Sequence, residues 1–241
     1  MDEALPILKY LPNSFRNQNE SDYIAFLWEA FESNYQNGKY QFAILAYHML
    51  YMSFVYFSVW QIKNSRAGDF AKAVIFQQKE KELLSATSPF TFSEVQERSI
   101  FKLLRLAGCD QQHIGPFAKL VDERNDIAHA NGNIFFSDQS AAVRKIAGVL
   151  EQVDAIQDHM QPVIHDCLRR FLKEGWNPEE REYDDPADQI REALLHANYF
   201  SQKDIEACLS FDIDSLNGEE HFGEIKELFE GFVKTYRQDG D

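Results

Sequence analysis

Cysteine is scarce in this chain. Cys109, Cys167 and Cys208 are odd in number, widely spaced and without a CxxC pair, so neither a disulfide framework nor a zinc knuckle is indicated and a reducing compartment fits. No glycine-rich phosphate loop occurs, no cysteine has an obvious base near it in sequence, and strand patterning is nearly absent. There is no internal repeat and no low-complexity tract. A secretory leader is missing too: "MDEALPILKYLPNSF" opens acidic and reaches a proline early, so the expected location is the cytoplasm. His159 and His165 in "DHMQPVIHD" are separated by about 240° on an ideal helix, with Pro162 between them, so metal ligation is not expected. No cofactor is expected either.

What remains is helical periodicity. The pattern predicts an all-α chain with helices over about 20–36, 39–63, 67–85, 92–107, 112–130 and 138–173. The stops and starts agree. Glycine and asparagine break the chain after Asn37, Ser93 with Gln96 reads as a capping pair, Gly108 ends one helix, and Gly132 beside Asn131 or Asn133 ends the next. The segment "YQFAILAYHMLYMSFVYFSVWQI" is nearly long and apolar enough to span a bilayer. Its central His48, scattered tyrosines and lack of a flanking basic cluster favour a buried helix at the centre of a bundle, with His48 as a satisfied core histidine and no membrane partner.

Charge divides the chain. Of its net −15, residues 174–241 carry −13, with 19 acidic against 6 basic side chains, and the rest is close to neutral. We therefore read a helical bundle over 1–175, a linker over 176–187 and an acidic three-helix segment over 188–241. In that segment Asp185 and Pro186 form an N-cap and first-turn pair, Ser201 caps a second helix, and Phe222, Ile225, Leu228, Phe229 and Phe232 mark the apolar face of a third. Three short helices make a marginal unit, so docking on the body or on another protein is expected.

The chemistry concentrates in "ERNDIAHANGNI". Around Arg124 the helical neighbours Leu120, Val121, Ile127 and Ala128 are all apolar, so no carboxylate on its own helix pairs with it. An unpaired guanidinium among packed side chains is costly. It requires a partner across a groove, on another helix, another subunit or an anionic ligand. His129 lies about 140° further round at the helix end, where Asn125 or Asp126 could orient its imidazole.

Arg124-Asn125 followed by His129 at a helix end in an all-α protein resembles the signature of the HEPN superfamily, an arginine, four to six residues, then a histidine. The resemblance covers the motif and, loosely, residues 20–173. It implies a dimeric helical bundle acting as a metal-independent endoribonuclease in toxin–antitoxin or anti-phage defence, with Arg124, Asn125 and His129 as the catalytic set. Such cleavage needs a base for the ribose 2′-OH, an acid for the leaving oxygen and a cation for the developing charge. Arg124 suits the last role, Asn125 an orienting one. One histidine cannot easily be base and acid together, so a homodimer bringing two copies of His129 to one groove is expected.

The stripe Arg98, Lys102 and Arg105, with Lys119 and more weakly Arg144 and Lys145, is the candidate RNA grip. An antitoxin or other defence-system protein is a further expected partner. The alternative is a non-catalytic interaction module whose arginine and histidine are structural and whose acidic segment engages a basic partner or lies over the basic groove.

Overall fold

The computed structural model describes residues 1–74, 82–129, 132–136 and 138–237. It is 78% helical, with no strand among the described residues. The all-α expectation therefore holds. A 3-10 segment, Leu5–Tyr10, precedes helix α1 (Gln18–Gln36), whose first turn is capped by the Asn17 side chain accepting from the Glu20 N–H at 3.0 Å. Ile24, Leu27, Phe31 and Tyr35 recur every three or four residues and form its buried face. The chain then turns through Gly38, at φ 69°, into α2 (Tyr40–Ser65).

Helix α2 is the axis of the molecule. Protein buries 83% of its most apolar window, which passes the length and composition test for a membrane span. Helix α1 packs along one side of it and α6 (Gln139–Glu174) along another. Asp138 caps α6, accepting from the Ala141 N–H at 2.9 Å, and the helix runs on past Pro162. Its buried stripe from Ala142 through Ile146, Val149 and Val153 to Leu172 faces the core.

Between them lie α3 (Ala67–Ala73), α4 (Glu97–Leu103) and α5 (Gln111–Ala128). Of the helix expected over 67–85, α3 covers Ala67–Ala73, residues 75–81 lie outside the described set, and a 3-10 turn follows at Leu83–Ser85. The helix expected over 92–107 is three pieces: 3-10 at Pro89–Glu94, α4, and 3-10 again at Leu104–Ala107. Ser93 is not its cap. Ser88, just before Pro89, accepts from the Phe90 N–H at 3.2 Å and takes that role, because a proline at the first helical position fixes the entry one turn earlier.

The C-terminal segment docks on the body. Asp185 caps α7 (Pro186–Gln189), which widens into a π-helical turn over Ile190–His196. Ser201 and Asp204 form a reciprocal capping box on α8 (Gln202–Leu209), and α9 (Phe222–Arg237) buries Ile225, Leu228, Phe229 and Phe232. Hydrogen bonds tie this segment to α1, α2 and α6. The Tyr199 hydroxyl donates to Glu20 Oε2 at 2.7 Å, the Trp60 indole donates to the Ala197 carbonyl at 2.9 Å, and the buried Asp204 carboxylate accepts from Gln61 at 3.0 Å and Gln157 at 2.9 Å. Ser201 closes the Asp204 network with its N–H and hydroxyl, both at 2.9 Å.

Candidate functional site at the end of α5

Helix α5 starts at Asp110, whose carboxylate accepts from the N–H groups of Gln112 and His113. It stops at Ala128, where His129 turns to extended backbone (φ −86°, ψ 142°) and donates its N–H to the Asn125 carbonyl at 3.1 Å. Gly132, at φ 79°, takes the left-handed turn expected of it but within the following loop, not at the helix end; Asn131 lies outside the described residues. Gln41 of α2 holds this end in place. Its amide donates to the Ile127 carbonyl at 3.4 Å and its carbonyl accepts from the Phe135 N–H at 3.0 Å.

Arg124 has found its partner on another helix. Its guanidinium lies 2.5 Å from Glu97 Oε1, at the first turn of α4, where the helix dipole also favours a carboxylate. Burial pushes the Glu97 carboxyl up. The His48 and Arg124 groups beside it more than reverse this and hold it below the usual carboxylate range.

His48 Nε2 stands 3.5 Å from Glu97 Oε2, with neither atom in a well-formed hydrogen bond, and His48 Nδ1 is unpartnered as well. The histidine expected to be a satisfied core residue is in the core, 3% exposed, but unsatisfied. It meets the carboxylate of Glu97 on α4, a contact that no spacing along one helix reveals. Burial pushes its imidazole below the ordinary value of 6.5, outweighing the attraction of Glu97.

The sign of that shift has a measurable consequence. With its folded-state value lowered, His48 takes up its proton at higher pH in the unfolded chain than in the folded one, so stability is lost as pH drops below 6.5. Urea unfolding at pH 7 and 5.5 should show a larger loss for the native chain than for His48→Gln. Equal losses would contradict a neutral buried His48.

Glu97, His48 and Arg124 line the polar end of a cavity of about 770 Å³. Leu45, Met49 and Met52 of α2, with Tyr23, Tyr56 and Phe90, supply most of its apolar wall. Glu20 lines it too, with both oxygens engaged, one by Ser88 at 2.6 Å and the other by Tyr199. Ala128 reaches the cavity at its α5 side, while Asn125, half-buried, and His129, exposed, are not among its lining residues.

The basic stripe is less free than its spacing suggests. Arg98 bonds Asp122 of α5, Lys119 lies 3.8 Å from Glu123, and Lys145, largely covered, also bonds Glu123. Lys102, Arg105 and Arg144 are exposed and carry no ion pair among the described residues. No group of three or more histidine, cysteine, aspartate or glutamate side chains among the described residues could hold a metal ion. The fold and site thus define an all-helical protein with an arginine, carboxylate and histidine cluster beside a large apolar cavity. No family model, curated protein or solved structure matches the chain.

Proposed function

We propose that the protein is a HEPN-like, metal-independent endoribonuclease in which His129 exchanges protons with the ribose 2′-OH or the leaving oxygen, Arg124 stabilises charge on the phosphate, and Asn125 orients. One observation carries this reading: the end of α5 presents an exposed His129 five residues beyond an Arg124 that is anchored by Glu97, still 29% exposed and lining a cavity. An anchored guanidinium is preorganised, so it stabilises developing charge without reorganising. Glu97 is then a positioning residue acting through Arg124.

Large apolar side chains exposed near this end support a dimer. They include Phe42 at 58%, Ile134 at 77% and Phe135 at 41% exposure, on α2 and the loop that follows α5. A two-fold pairing across them brings a second His129 to the groove, supplying acid and base from separate subunits. The setting that fits such an enzyme is a toxin–antitoxin or anti-phage defence system.

The test is incubation of total and transfer RNA with the purified protein in excess EDTA. Fragments with 2′,3′-cyclic phosphate and 5′-hydroxyl ends are expected. RNA left intact at stoichiometric protein would reject the reading. One observation favours the rival, a non-catalytic helical interaction module: Arg124 already has a carboxylate partner and needs no ligand to balance its charge.

A further inference from the structure

We propose that the cavity beside Arg124 is a pocket for a guanine base of the RNA substrate, turned out of the strand so that its donor edge meets Glu97 while its phosphate stays outside. The inference rests on the ribonuclease reading and adds to it the identity of the recognised base.

The charge inside the cavity decides what enters. Its ionisable lining is Glu20 and Glu97 against one guanidinium, Arg124, with His48 neutral. A phosphate or other anion has no uncompensated cation to meet there and would face two carboxylates. A neutral group enters without that penalty. The phosphate is left outside, where part of Arg124 is exposed and His129 is exposed at the end of α5.

The wall decides its shape. Tyr23, Tyr56 and Phe90 offer aromatic surface, with Tyr23 and Phe90 edge to face at 5.2 Å, and Met49 and Met52 offer adaptable apolar surface. Single-stranded RNA is recognised by such means, with bases splayed out, stacked on aromatic rings and read along their hydrogen-bonding edges.

The unpartnered atoms decide which base. Glu97 Oε2 lacks a hydrogen-bond donor, and both ring nitrogens of His48, with the imidazole nine-tenths or more buried, lack partners. A buried carboxylate oxygen without a donor is an open acceptor. Guanine carries adjacent N–H donors on its ring and exocyclic amine, so one can meet the open Glu97 Oε2 while the other shares Oε1 with Arg124. Adenine presents a ring acceptor beside its amine, and uracil has a single ring N–H. Neutral His48 supplies one further donor and one acceptor.

Calorimetric titration of the full chain with guanosine, inosine and adenosine tests the assignment without any cleavage step. Guanosine is expected to bind at least tenfold more tightly than adenosine, with inosine, which lacks the exocyclic amine, between them. Glu97→Gln should abolish the preference, and Met52→Trp, which fills the cavity, should abolish binding. A uridine oligonucleotide containing one guanosine should displace bound guanosine, and an all-uridine one should not.

Absent or equal nucleoside binding by the native chain overturns the proposal, whether or not either variant folds; so does undiminished binding by folded Met52→Trp. Guanosine that no guanosine-containing RNA displaces overturns RNA as the source of the base. The two readings fail separately. RNA cleavage without guanosine binding removes the base pocket and keeps the ribonuclease, and guanosine binding with intact RNA in the EDTA assay does the reverse.

Discussion

Replacing Arg124 by alanine is expected to lower RNA cleavage by about 10²–10³-fold, the range seen when one preorganised charge-stabilising group is removed. The change also leaves the half-buried Glu97 without the cation that balances its charge. Stability should therefore fall along with activity, and the two effects must be separated. Arg124→Lys separates them. An ammonium group can keep the charge balance with Glu97 but lacks the planar fork that addresses a carboxylate and a phosphate together, so near-native stability with cleavage at least tenfold down is expected. Matched circular dichroism and initial rates on one RNA would check both variants. Full cleavage by folded Arg124→Ala would remove Arg124 from the mechanism.

The second large effect is on folding. Asp204→Ala is expected to destabilise the protein by about 3 kcal/mol, because the amides of Gln61 and Gln157 and the hydroxyl of Ser201 lose a shared acceptor that is itself buried. For a chain of this size that corresponds to a melting temperature lower by about 6–12 °C. A shift under about 2 °C would mean that the carboxylate network does not hold the C-terminal segment to α2 and α6. The same network bears on how an inhibitory role of the acidic segment can be examined. Tyr199, Phe200, Cys208 and Phe232 are buried. Removal of 176–241 therefore strips core from the body and tests stability before it tests regulation.

Most of the architecture was legible where the signal is local. The Asp185–Pro186 start, the Ser201 box and the apolar face of α9 are set by residues three or four apart, and each is present where the pattern puts it. The burial of α2 was legible because a helix apolar on all sides in a chain rich in other helices has protein to cover it. The break of the 92–107 segment was not. Ser93 is a good capping residue in isolation, but Pro89 fixes the entry after Ser88, and Phe92, fully buried, packs that first turn into the core.

The candidate site divides in the same way. That Arg124 needs a partner across a groove followed from its apolar neighbours. That the partner is Glu97 did not, since nothing in the 97–103 pattern distinguishes a carboxylate turned inward from one in water. His48 was visible as a polar interruption of an apolar helix, but its lack of hydrogen bonds is a property of the surrounding helices. A lone histidine in such a run, paired with an arginine that also lacks local partners, is the signal that could have led to the cavity.

The central claim is that His129 serves a ribonuclease reaction that needs no metal. The measurement that tests it most directly is cleavage of total and transfer RNA in excess EDTA by the native protein and by folded His129→Ala at matched concentration. The account predicts fragments from the native chain and rates at least about 10²-fold lower from the variant. Equal cleavage by the two proteins, or none by either, would contradict it.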